Sequence, residues 1–290
     1  MSSPEGLLLI DKPSGITSHD VVDRVRRALG TRKVGHAGTL DPLATGLLLV
    51  GVGRATRLLR FLSDLPKTYE GTALLGVETD TLDADGTVMR RARVDVARSA
   101  IERAVSAKEG SSMQTPPAYS AVKVGGRTLH SAARSGEELH AAERPILVES
   151  FRLTTFGGDT FGFEVTCSSG TYVRVLVAEI GAELGPGANL TELRRTRIGP
   201  FTAADARPPE DPGVPLPVEG AVAALPRLEL EPEEAIAAGH GRVLGPAGID
   251  GPYGVFAPGG RLIGVYRDDG AKARPEVILA VAVDGAPAGH

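Results

Sequence analysis

Cysteine is almost absent from this 290-residue chain. Cys167 stands alone, which excludes an intramolecular disulfide and a cysteine-built metal cluster and makes a reducing cytoplasm the expected setting. Six histidines occur without HxxxH or HExxH spacing, so no metal and no cofactor is expected. Long hydrophobic runs are missing too. The first ten residues, MSSPEGLLLI, hold no basic region and only a four-residue apolar run, too short for a signal peptide or a membrane span. The acidic stretch VETDTLDADG carries Glu78, Asp80, Asp83 and Asp85 but lacks the downstream glutamate of a calcium loop, so turn chemistry is the better reading. No internal repeat is found.

What is present fits a globular protein: 42% hydrophobic and 23% charged residues, enough chain for one large core and a small second domain. The net charge of -4 argues against a nucleic-acid partner only while it is averaged. Residues 11 to 60 hold nine bases against four acids, and residues 205 to 234 hold eight acids against two bases. A basic N-terminal half can attract phosphates while acids further on keep the total negative.

In chain order, Gly6 to Ile10 reads as a buried strand closed by the turn at Asp11 to Gly15. A helix follows, with a capping box at Thr17 and Asp20, an apolar face of Val21, Val22, Val25, Ala28 and Leu29, and a stop at Gly30. Lys33 to Gly46, KVGHAGTLDPLATG, contains three glycines and Pro42, which predicts a loop throughout. A central strand is expected at Leu47 to Val52, a helix at Ala55 to Leu62, an alternating strand around Tyr69, and a helix near Asp95 to Ala107. About residues 115 to 145 the chain is small, polar and basic, an excursion from the core. Two strands, Ile146 to Phe156 and Thr160 to Cys167, form a hairpin through Gly157-Gly158-Asp159. A helix runs from Thr171 to Leu184, with Arg174 in its first turn, where a cation opposes the helix dipole unless an anion is near. LTELRRTRIGPF is read as a basic edge strand, and five prolines between residues 208 and 217 as a linker. Beyond Leu228, a short helix near Glu233 and strands at Tyr253 to Ala257, Arg261 to Tyr266 and Val277 to Val283 suggest a small β-barrel or sandwich, then a loose tail.

Asp41 draws attention because the following proline holds it extended on a stiff turn. An isolated Asp-Pro is usually a turn whose carboxylate caps amides. A carboxylate among aromatic and basic residues can instead stabilise an oxocarbenium ion or attack a sugar carbon. No second carboxylate is evident, so a sugar reaction that needs no separate acid suits the site better than glycoside hydrolysis.

Four segments in order, GHAGTLDPLATG, KTYEGTALLGVETDTLDADG, QTPPAYSAVKVGGRTLH, and CSSGTYVRVLVAEIGAELG with LRRTRIGPF, resemble the successive motifs of the TruB family of tRNA pseudouridine synthases, across about residues 6 to 201. The resemblance implies an α+β fold with a mixed, largely antiparallel central sheet flanked by helices over residues 1–227, an RNA-gripping insertion at about 115–145, and a PUA-like β-barrel over 228–290. It implies an isomerase that flips uridine 55 out of the T loop of tRNA and rejoins its base through carbon. Asp41 would be the catalytic carboxylate. Tyr69 would stack on the base and assist proton removal, and Arg174 would pair with Asp41. Lys12 would support the loop, His36 would help displace the nucleotide, and Tyr172 and Leu193 would contact the substrate. The expected partner is the tRNA T-arm stem-loop, with no membrane or metal involved and the protein monomeric. Ser169 departs from the lysine common in the family and His130 from its tyrosine; each removes an RNA contact. A tRNA-binding or folding protein whose catalysis is secondary is the second reading, and a nucleoside hydrolase or glycosidase the third.

Overall fold

A computed structural model describes residues 4–135, 137, 139 and 141–279. Residues 136, 138 and 140 of the expected excursion, the end of the strand expected to reach Val283, and the expected tail lie outside the described residues. The frame is a nine-stranded sheet. Its strands run in the order Gly6–Lys12, Thr45–Val52, Ala188–Ile198, Lys67–Leu75, Thr160–Cys167, Arg144–Phe156 and Gly110–Gln114, with Val34–Ala37 and Phe201–Thr202 paired alongside. Every junction is antiparallel except one. Thr45 and Gly46 pair in parallel with Arg194 and Arg195.

The helix Ser18–Leu29 follows its sequence signals. Thr17 and Asp20 form the reciprocal cap, Gly30 ends the helix at φ 62°, and Val21, Val22 and Val25 are buried, whereas Ala28 at the far end of that face is exposed. The helix Val173–Leu184 and the helix Arg98–Ser106 pack Leu176, Val177, Ile180, Ile101 and Val105 against Phe151, Phe161, Phe163 and Val165 of the sheet. Burying such side chains contributes about 2 kcal/mol each.

Three expectations need correction. Ala188–Ile198 is an interior strand, flanked by Lys67–Leu75 and Thr45–Val52. Its arginines permit this because Arg194 pairs with Asp11 and Arg195 is satisfied by carbonyls, so neither charge needs an open edge. The expected loop at Lys33 to Gly46 contains the strand Val34–Ala37. Gly35 faces Gly51 across that pair, and a Cβ on Gly51 would come within 2.9 Å of Leu59; these glycines make room for a packed leucine. The helix expected at Ala55 to Leu62 is a 3₁₀ turn, Gly53–Leu58, continued by one α-turn, Leu59–Ser63.

The C-terminal residues form a four-stranded sheet, Arg227–Glu229, Pro252–Phe256, Leu262–Asp269 and Lys272–Ile278, covered by the helix Pro232–Gly239. Phe256, Leu262 and Val265 of this unit share one apolar cluster with Leu58, Phe61 and Leu62. The charge segregation along the sequence is partly cancelled in space: Arg24 meets Glu210 and Arg60 meets Glu276. No helix among the described residues is long and apolar enough to cross a membrane.

Candidate functional site

The chain from Gly38 to Ala44 crosses the carboxyl end of the strand Val34–Ala37 and leads into Thr45–Val52. Such a segment must account for its carbonyls, and here each one has a partner. Gly38 and Thr39 accept from the Arg195 guanidinium, Leu40 from the Ser18 hydroxyl, Asp41 from the Ala44 amide, Pro42 from Lys12 and the Gly15 amide, Leu43 from the Ser14 hydroxyl, and Ala44 from Lys12. With its backbone held this way, the loop presents the Asp41 carboxylate at 44% exposure.

Lys12 is fully buried behind the loop. Its Nζ donates to Pro13, Pro42 and Ala44 at 3.0, 3.1 and 2.6 Å, and burial pushes its pKa down to about 8. Lys67, buried on the floor, donates to the carbonyls of Ser63 and Leu65 and is likewise lowered to about 8 by burial.

Arg174 faces Asp41. It is 4% exposed, and its Nε lies 3.3 Å from Asp41 Oδ2 without hydrogen-bond alignment. Its other nitrogens donate to Thr81 O at 3.0 Å and Tyr119 O at 2.6 Å and approach Asp83 Oδ2 at 3.6 Å. The anion that a cation in a first helical turn requires is therefore present, twice. The absence of a second carboxylate expected from sequence is corrected by Asp83. That side chain is buried, takes the Thr81 hydroxyl and the Asp85 amide, and has its pKa raised by burial. The turn holding it contains Leu82 at φ 66°, the sole non-glycine residue with positive φ among the described residues, a strained conformation of the kind that clusters at functional sites.

Asp41, Tyr69, Tyr172, Arg174 and Leu193 all line one cleft of about 370 Å³, within the range of small-ligand sites. Tyr69 is 7% exposed, more deeply set than a half-buried strand tyrosine, and burial raises its pKa. Tyr172 precedes the helix Val173–Leu184 and is fixed by the buried side chain of Gln114, which accepts from its amide at 2.8 Å and donates to its carbonyl at 3.2 Å. The Arg144 and Arg174 guanidinium carbons lie 5.7 and 5.8 Å from its ring centroid. A second cleft of about 720 Å³ adjoins the first across Asp41 and Arg174 and is walled by Asp80, Tyr119, His130 and His19. Two residues stand apart. Lys12 does not reach the cleft surface, and His36 lies outside both linings, edge-on to His19 at 5.5 Å, with its pKa lowered by burial.

The expected excursion folds back on this site. Lys123–Val124 and Arg127–Thr128 form a short hairpin and Leu129–Arg134 a helix, and Tyr119 and Ser120 close over Arg174 and line the clefts. The Ser120 hydroxyl is buried there without a partner. Sequence reasoning passed over Arg195, Gln114 and Ser120 and read Asp83 only as a turn residue, because the importance of each comes from what folds against it. No group of His, Cys, Asp and Glu able to hold a metal occurs among the described residues.

Comparison with known proteins places these features in context. The family model for the TruB family pseudouridylate synthase N-terminal domain matches residues 26–173, that for the tRNA pseudouridylate synthase B C-terminal domain matches 174–208, and that for the tRNA pseudouridine synthase II C terminus matches 225–280. The chain is 43% identical to tRNA pseudouridine synthase B of Thermobifida fusca, with 95% of this chain and 99% of the relative covered. It is 45% identical to the protein of that name from Rhodococcus jostii, with 94% and 93% covered. Among solved structures, a Cbf5-Nop10-Gar1 complex aligns with TM-score 0.73 and 26% identity over 94% of this chain and 84% of that one. A structure of an H/ACA RNP bound to a substrate RNA containing 2'-deoxyuridine aligns with TM-score 0.71 and 25% identity over 94% and 84%.

Proposed function

Because the chain belongs to the TruB family and is a tRNA pseudouridine synthase, we propose that it isomerises uridine 55 in the T loop of tRNA, with Asp41 acting at the ribose. The uridine leaves the stacked loop and enters the cleft, since a stacked base keeps its sugar away from any side chain. Asp41 reacts at the sugar, the N-glycosidic bond breaks, and the base turns and rejoins through carbon. Tyr69 and Tyr172 wall the base, and Tyr69 assists removal of the proton from the carbon that forms the new bond. Arg174 pairs with the Asp41 carboxylate from the opposite side of the cleft. Leu193 packs against the bound nucleotide, and Lys12 acts behind the loop. His19 lines the adjoining cleft, and His36, edge-on behind it, helps displace the nucleotide through that contact. The insertion at about 115–145 grips the T arm.

One observation carries this reading: an exposed carboxylate on a backbone with every carbonyl occupied, opposite a buried arginine, in a cleft lined by two tyrosines. An isomerisation in which the base never leaves also accommodates Asp83, which is committed to Arg174 and Thr81 and is not offered as an acid for a leaving group. Mapping pseudouridine in cellular RNA with and without the protein tests the proposal. The expected result is loss of the mark at position 55 of tRNA. Marks lost elsewhere with position 55 intact would overturn the substrate assignment, and free uracil as a product would overturn the reaction.

A further inference from the structure

Asp41 and Tyr69 stand on different elements, and one side chain reaches both. Arg195 lies directly opposite Tyr69 in the antiparallel ladder, so the two side chains rise from the same face of the sheet. Its other neighbour is Gly46, where a Cβ would stand 2.3 Å from the Arg195 carbonyl; only glycine lets the backbones close and brings Arg195 under the loop. The side chain is 1% exposed. Nε donates to Leu47 O at 2.8 Å, Nη2 to Gly38 O at 3.1 Å and Nη1 to Thr39 O at 3.5 Å. A guanidinium has five N–H donors in a fixed plane. Three are spent on carbonyls on either side of Asp41, those of Gly38, Thr39 and Leu47, and Arg195 lines the same cleft as Tyr69.

We propose that Arg195 is a positioning residue for the reaction: it pins the Asp41 loop by its carbonyls and, from the ladder position opposite Tyr69, offers a remaining N–H to the phenol, and so holds the two groups at one separation. The inference rests on the reading of Asp41 and Tyr69 as reacting groups. A planar fork is what the arrangement needs. Lysine keeps the charge but is a point donor on a flexible stem, and it cannot hold carbonyls and phenol in one frame.

The test is single-turnover pseudouridine formation on an unmodified tRNA transcript by the full-length Arg195→Lys protein, with tRNA affinity and thermal melting measured alongside. A misplacement on the order of 1 Å costs about 100-fold in rate, so the rate is expected to fall by about that factor while affinity stays within about threefold. The Arg195→Lys/Tyr69→Phe double variant is expected to lose less than the product of the two single losses, because the two side chains act as one unit. Wild-type rate in Arg195→Lys, a loss carried by affinity alone, or fully multiplicative losses would overturn the proposal. Arg195→Gln, which keeps a planar donor, replaces Arg195→Lys should that variant not fold. Tyr69→Phe gives a reading independent of both: the guanidinium ¹⁵N resonance of Arg195 is expected to shift while the Gly38 and Leu40 amides stay in place, and an unmoved guanidinium contradicts the contact. Asp41→Asn serves as the reference. If it stays active, the reading of Asp41 fails; if it is inactive while Arg195→Lys keeps full rate, only the role of Arg195 fails.

Discussion

The two walls of the cleft are built differently. The Asp41 wall has seven successive carbonyls occupied between Gly38 and Ala44, four of them by the buried cations Lys12 and Arg195. The insertion wall is two-residue strands and a six-residue helix. It joins the site through the Tyr119 carbonyl on Arg174 and the Tyr119 hydroxyl on Asp80 at 3.3 Å. A loop that carries chemistry needs its geometry fixed in advance, because misplacement is felt in the rate. A surface that grips a folded RNA needs area and adaptability, and weak local elements supply both. Changes on the first wall should therefore reach the chemical step, and changes on the second should reach affinity.

Among changes that leave Asp41 itself in place, the largest expected effect comes from Lys12→Met, which strips the partners from Pro13, Pro42 and Ala44. Leaving buried carbonyls unpaired costs about 1–3 kcal/mol, and the single-turnover rate should fall by about 100-fold with tRNA affinity nearly unchanged. Equal losses in rate and affinity would break the contrast between the walls. Alkaline pH is a milder form of the same change. Lys12 and Lys67 have folded-state values of about 8, below the usual 10.5. The unfolded chain thus binds more protons between those values, and these titrations add to global stability as pH rises through that window. The local effect is opposite: neutral Lys12 has two protons for three carbonyls. Between pH 7.5 and 9.5 the wild-type rate should fall by about threefold more than that of Lys12→Met, which has nothing to titrate at that position, without a drop in melting temperature from these groups. Parallel pH profiles in the two proteins would contradict it. The smallest effect is expected on the other wall. Thr128 caps the helix Leu129–Arg134 by accepting from the Ser131 amide at 3.2 Å, and Thr128→Ala should cost about 1 kcal/mol locally. It should weaken tRNA binding by about threefold and leave the rate at saturating tRNA unchanged, as titration of rate against tRNA concentration would reveal.

Much of this was legible in the sequence wherever a local signal decides the outcome. The Thr17 box, the Gly30 stop, the Gly157-Gly158-Asp159 turn and the Asp41-Pro42 turn depend on neighbours within a few residues. Motif order then led to Tyr69, Tyr172, Arg174 and Leu193, and these do meet Asp41 in one cleft. What stayed hidden was decided across the chain. Ala188–Ile198 looked like an edge because arginine is normally exposed, and only the carbonyls of Gly38, Thr39 and Leu47 make Arg195 a buried residue. The roles of Gln114 and Asp83, the latter read only as a turn residue, were hidden for the same reason: their partners, Tyr172 and Arg174, lie 58 and 91 positions away.

The proposed role of Asp41 is tested most directly by one measurement: pseudouridine formation in a T-arm stem-loop by Asp41→Asn, read together with binding of the same RNA. The rate is expected to fall by about 10³-fold or more with affinity close to wild type, because the substitution removes the charge from an exposed side chain and leaves the loop backbone tied. Undiminished pseudouridine formation would contradict the account at its centre.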